Sequence, residues 1–163
     1  MTILESAVKQ NQFLLGYIDT LTKDLAPADW TAQPLPGVNH AAWIFGHLIF
    51  AAEGSIKRMG GTPLMDENWT KQYGGGSVVT NDSTQYPSPE FFKEQLVKSY
   101  TRVQELTTTC SDEILNEPNQ NPRFKNTHPT MRDMIVFGLT SHFALHMGQL
   151  SAFRRMLGKP PLF

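Results

Sequence analysis

Two of the five histidines, His142 and His146, stand four residues apart, so on a helix both imidazoles leave the same side. A helical wheel puts Met131, Ile135, Gly138, Leu145, Gln149 and Phe153 within about one-sixth of a turn of that pair, which turns it toward an apolar interior. On an earlier helical segment His47 shares its face with Trp43, Ile44, Ala51 and Gly54, and it too points inward. A neutral imidazole carries one lone pair and one N–H, and leaving either unsatisfied in a dry core costs about 1–3 kcal/mol. A divalent ion removes that cost, because imidazole nitrogen bonds Zn²⁺ at about 2.0–2.1 Å and leaves the other nitrogen for an acceptor. Hydrogen-bonded core histidines without metal satisfy the same pattern, and spacing alone does not separate the two. No Glu-x-x-His and no His-Glu-x-x-His occurs, which argues against a ferritin-type di-iron site and against a protease helix. Gln149 lies on the His146 face, within reach of a bound water or an imidazole N–H. His40 lies on the His47 face two turns away, too far to share a coordination sphere, and is read as lining the mouth of the site. His128, before Pro129, is read as a surface or cap-adjacent residue.

Four helices must position these residues. Thr2 with Glu5 forms a capping-box pattern at the start of the first, which should end near Pro27. The second should start on Asn39 as N-cap and run to about Met59, where Gly60 and Gly61 stop it. The third opens on Ser88 with Pro89 at its first position. The fourth is capped by Thr130 and continues unbroken to Leu157. Strand signals are weak, the one short β-like run being Ser77 to Thr80. The expected fold is all-α: a single four-helix-bundle domain over residues 1–163, with a long crossover from Gly61 to Pro87 that lets helices two and three run parallel. A second linker, 108–129, should hold a turn of helix around Glu113 to Leu115.

Bulk properties narrow the function classes. With 14 Lys and Arg against 15 Asp and Glu, the chain has no basic footprint for nucleic acid and no patch for a membrane surface. No apolar run is long enough to span a bilayer. Cys110 is the only cysteine, so no internal disulfide forms, and charges in the first 25 residues break any secretory apolar stretch. The expected location is cytoplasmic. Gly74-Gly75-Gly76 lacks the Lys-Ser or Lys-Thr of a phosphate cradle and reads as a loop.

The segments Asn39-His-Ala-Ala-Trp-Ile-Phe-Gly-His-Leu48 and His142-Phe-Ala-Leu-His-Met-Gly-Gln-Leu150, the latter continuing through Arg154-Arg155 to Pro161, resemble the DinB-like family of bacterial proteins, also called the YfiT-like metalloenzyme group. Tyr86-Pro-Ser-Pro-Glu90 fits the same pattern, and the resemblance covers essentially the whole chain. It implies a four-helix bundle in which His47, His142 and His146 bind one divalent ion, nickel or zinc. It further implies a metal-dependent enzyme acting on small molecules, of the thiol-dependent S-transferase, isomerase or hydrolase type, with a low-molecular-weight thiol as a co-substrate. His40 departs from the family, which more usually has a small polar residue there. The alternative is a non-catalytic, metal-binding, stress-associated protein. No carboxylate sits in either histidine motif, so a general base is not evident; Asp66 and Glu67 in the crossover are the nearest candidates. Phe45, Ile49, Ala52 and Ile56 form a second apolar stripe on helix two, and Phe137, Thr140, Ala144, Met147 and Ser151 one on helix four. Helices buried on one side do not need such stripes, so a two-fold homodimer through helices two and four is expected.

Overall fold

The computed structural model describes residues 1–162. Its secondary structure is all-helical; among the described residues there is no strand, only one isolated bridge between Pro118 and Thr130. Ser77–Thr80 is irregular; the Ser77 hydroxyl accepts from Trp43 Nε1 and the Thr80 carbonyl from His40 Nε2.

Helix α1, Ile3–Thr22, starts on the expected capping box, with the Glu5 amide donating to Thr2 Oγ1 at 3.2 Å and the Thr2 amide to Glu5 Oε2 at 2.7 Å. It stops at Thr22, short of Pro27, and a 3₁₀ turn at Pro27–Thr31 then buries Trp30 against Phe45 and Phe92. Helix α2, Ala41–Arg58, is capped by His40 and not by Asn39. The Trp43 amide donates to His40 Nδ1 at 3.1 Å, an imidazole nitrogen taking the part usually played by an Asn or Ser oxygen. Gly60, at φ +80°, turns the chain out of this helix.

The crossover is not wholly irregular. It contains α3, Glu67–Tyr73, capped by Asp66, whose Oδ1 accepts from the Asn68 and Trp69 amides at 3.0 and 3.2 Å. Asp66 is therefore a cap and not a base facing the histidines. Helix α4, Pro89–Thr109, begins as expected, with Ser88 Oγ accepting from the Phe91 amide at 3.2 Å. The short α5, Asp112–Leu115, follows.

The last long segment is two helices, α6 (Met131–Leu139) and α7 (Ser141–Met156), broken at Thr140 with φ −120° and ψ −90°. Thr140 Oγ1 donates to the Val136 carbonyl at 2.7 Å, and the Leu139 carbonyl accepts from the buried Asn11 side chain at 3.0 Å. Gln104 in turn donates to Asn11 Oδ1 at 2.8 Å. A side chain inserted into the helical hydrogen-bond pattern is a recognised cause of a kink, and here it comes from another helix.

The directions of the long helices follow from who meets whom. On α2 and α4, Phe45 meets Phe92, Glu53 meets Ser99 and Gly61 lies at Leu106, so residue numbers rise together and the two run parallel. Asn11 at Leu139 and Asp24 at Arg154 make α1 parallel to α6 and α7. His47 against His142 and His146, with Ser55 at Gly138, makes α2 antiparallel to them. Phe45, Ile49, Ala52 and Ile56 are buried on the side of α2 that meets α4, so this stripe is internal core and gives no support to a dimer. Arg154 is buried and grips Asp24 with both Nε and Nη2, at 3.3 and 2.6 Å. No helix among the described residues is long and apolar enough to cross a membrane.

Glu53 has no counterpart in the sequence reading. Buried on α2, its carboxyl accepts from the Leu64 and Met65 amides at 2.5 and 3.1 Å and from Ser99 Oγ at 2.6 Å. It thus pins the start of the crossover to α2 and α2 to α4. Glu53→Ala strands those donors and should remove roughly 2–4 kcal/mol, lowering Tm by about 5–10 °C, with Glu53→Gln losing less. A thermal melt of Glu53→Ala within about 2 °C of the parent protein would contradict this role.

Candidate metal centre

The three histidines singled out by spacing come together. His47 leaves α2, while His142 and His146 leave successive turns of α7. Ring centroids lie 5.4 Å apart for His47 and His142, 4.8 Å for His47 and His146, and 4.7 Å for His142 and His146. One nitrogen from each lies within 4.8 Å of the other two. His146 is buried and the other two are half-buried, so one side of the cluster is open to solvent.

Hydrogen bonding fixes which nitrogens are free. His47 Nδ1 is 2.7 Å from the Tyr73 carbonyl, and because a carbonyl only accepts, Nδ1 carries the proton and Nε2 keeps its lone pair. His146 Nδ1 is 2.9 Å from Gln149 Oε1 and donates to it in the same way. His142 Nδ1 is buried with no partner. An acceptor behind each of two imidazoles and an orphaned nitrogen on the third is the donor set a cation fits.

The rings are held neutral. Burial, with repulsion from His146 and His47, pushes His142 down to about 3. Burial and His47 push His146 down to about 4, despite the opposing hydrogen bond to Gln149. His47 is lowered by burial, partly offset by the Tyr73 carbonyl. Besides burial, the repulsion on His142 comes from His146 and His47, and that on His146 from His47.

The surround is apolar. Trp43 stacks on His47 at 4.8 Å and 8°, and Phe50 and Phe137 flank the cluster 5.8 Å from His47 and 5.5 Å from His142. Leu145, beside His146 in sequence, is exposed on this helix. Phe124 and His128 back Phe137 at 5.3 and 4.6 Å, so the half-buried His128, two residues before the Thr130 cap, packs behind the site wall.

His40 does not line the mouth. Its Nδ1 accepts from the Trp43 amide and its Nε2 donates to the Thr80 carbonyl at 2.8 Å, so both ring nitrogens are committed. It touches the cluster's neighbours Trp43 and Tyr86, the latter at 4.7 Å. The Tyr73 carbonyl was missed by sequence reasoning for a plain reason: a backbone acceptor carries no side-chain signature. Cys110, the C-cap of α4, has its thiol raised by burial and does not join the cluster.

The family model described as the DinB superfamily matches residues 14–150. The chain belongs to the DinB superfamily. A crystal structure of a conserved protein from Enterococcus faecalis has the same fold as this DinB-superfamily chain, with a TM-score of 0.75, 15% identity, and 98% and 99% of the two chains covered. No curated protein matches the chain.

The low values of His142 and His146 give a pH dependence in the metal-free protein. The unfolded chain takes up protons as pH falls below about 6.5, while the folded rings do not until far lower. Their contribution to stability is therefore complete above about 6.5 and erodes as pH falls from there toward 4 and 3. Tm of the metal-free protein should fall between pH about 6.5 and 5, and His142→Leu should flatten the decline. A Tm that stays level or rises over that interval would contradict the assignment.

Proposed function

We propose that this DinB-superfamily protein is a four-helix bundle with a long α2–α4 crossover, α6 and α7 together forming its fourth rod, and that it is a metal-dependent enzyme acting on small molecules. His47, His142 and His146 hold one divalent ion, zinc or nickel, and leave a fourth position to water or substrate. The observation that carries this is the convergence of three neutral imidazoles, two backed by acceptors and one with an unpartnered buried nitrogen, on a side open to solvent. Three protein ligands with an open position are the pattern of catalytic rather than structural sites. The ion would lower the pKa of a bound water or thiol, because three neutral ligands leave its charge unbalanced.

The residues divide the remaining work. The Tyr73 carbonyl and Gln149 orient the imidazoles, and Trp43 fixes the plane of His47. Phe50 and Phe137 limit water at the open side. We place the activity among thiol-dependent S-transferases and isomerases or hydrolases, with a low-molecular-weight thiol as co-substrate, in a reducing cytoplasmic setting that suits a single-cysteine chain. The second reading, a non-catalytic metal-binding protein associated with stress, draws on the lack of an acid–base side chain among the groups that contact the rings.

A homodimer is part of the proposal, on narrower ground than the two stripes first considered. With the α2 stripe internal, the support is the exposed row Ala144, Leu145, Gly148, Ala152 and Met156 on α7, where small residues suit close helix approach. Light scattering at micromolar concentration should give twice the chain mass, and a monomer would remove this part.

Elemental analysis and zinc titration test the site. The parent protein should hold one equivalent, and His47→Ala, His142→Ala and His146→Ala should each lose it. His40→Ala and His128→Ala should keep the metal, His40→Ala with a lower Tm from the lost helix cap. An unchanged equivalent in His142→Ala would refute the three-histidine site.

A further inference from the structure

We infer that Gly46 is a positioning residue for the His47 ligand, acting through the ring of Tyr73; the inference rests on the metal reading above. Gly46 precedes His47 in the middle of α2, where glycine weakens a helix by about 1 kcal/mol relative to alanine and so needs a reason. The reason is contact. A Cβ built on Gly46 would run into the Tyr73 ring, falling 2.6 Å from its Cγ and closer still to Cδ1 and Cε1. That ring has nowhere to retreat, being fully buried among Trp69 at 4.4 Å, Phe92 at 6.0 Å and Tyr86 at 6.3 Å.

The same contact sets the Tyr73 backbone. Its carbonyl, 2.7 Å from His47 Nδ1, holds the proton on that nitrogen and turns Nε2 toward the other two histidines. Trp69 Nε1 donates to the Gly46 carbonyl at 2.9 Å, so α3 is clamped on α2 at the residue before the ligand. The bare Gly46 surface lets α3 lie this close. An alanine would lift Tyr73, and the carbonyl with it, away from His47. The Tyr73 hydroxyl is buried without a partner, so the phenol oxygen contributes nothing to this device.

Losing the partner behind a metal-binding imidazole typically weakens metal affinity by 10–100-fold. The test is zinc titration of metal-free Gly46→Ala and Gly61→Ala beside the parent protein, with a thermal melt of each. Gly61→Ala is the control for general damage: its Cβ would meet Leu106 at 2.8 Å and Ile56 at 2.9 Å, on contacts that leave the Tyr73 carbonyl alone. Both glycine variants should melt lower. Only Gly46→Ala should bind zinc about 10–100-fold more weakly, with Gly61→Ala within about twofold of the parent. Cobalt substitution adds a spectroscopic readout, the d–d bands shifting in Gly46→Ala alone. If Gly46→Ala does not fold, Trp69→Phe loosens the same clamp and should weaken zinc several-fold. Unchanged affinity in the folded clamp variant, or equal weakening in Gly61→Ala, overturns the inference. A parent protein that takes up no zinc refutes the metal reading itself, a failure visible before any variant is made.

Discussion

The hydrogen bond from His47 Nδ1 to the Tyr73 carbonyl ties together parts of the chain that otherwise have no reason to meet. It selects the tautomer of His47 and fixes the direction of its free nitrogen. It also needs a backbone carbonyl held against the middle of a helix, which demands that the crossover be laid down accurately. The crossover meets that demand by running back along α2. Leu64 and Met65 are held by Glu53, Trp69 by the Gly46 carbonyl, Ser77 by Trp43 and Thr80 by His40. As the crossover number rises, the α2 number falls, so this long segment is an ordered strap over the N-terminal two-thirds of α2. Loops of such length are usually functional or disordered, and here the strap supplies the acceptor for a site residue.

The other half of the site depends on a break. Two residues before His142 the helix is interrupted at Thr140, and the Leu139 carbonyl so exposed is taken by Asn11 from α1. A buried polar side chain and a buried carbonyl satisfy each other, and both stay out of water at little net cost. The consequence is directional. Helix α7 leaves on an axis set by its packing against α1 and α2, and His142 and His146 face His47 from its first two turns. Arg154, gripping Asp24 at the far end, holds that axis.

Much of this was legible in the sequence, for reasons that can be named. The i, i+4 spacing of His142 and His146 survives on any helix, and the apolar residues around them on the wheel already turned them inward. Side-chain caps at Thr2, Ser88 and Thr130 were readable because Ser and Thr act locally, within three residues. What escaped was non-local or used unusual chemistry. The Tyr73 carbonyl and the Leu139 carbonyl have no residue-type signature. Glu53, a lone acid in an apolar helix, gave a signal that acquires meaning only with the Leu64 and Met65 amides in place. His40 was misread because histidine seldom caps a helix, and the cap was assigned to its neighbour Asn39. The stripe of Phe45, Ile49, Ala52 and Ile56 was read as an outer surface because periodicity tells how many faces are apolar, not which neighbour covers each.

The central claim is that three imidazole nitrogens and nothing else from the chain hold one ion. X-ray absorption at the metal edge of the purified, zinc-loaded protein measures this directly. The account predicts three imidazole nitrogens at about 2.0–2.1 Å, with their multiple-scattering pattern, plus one light oxygen-type ligand that a small thiol replaces with sulfur at about 2.3 Å. A first shell of six oxygens, fewer than three imidazoles, or a protein sulfur present before any thiol is added would contradict it.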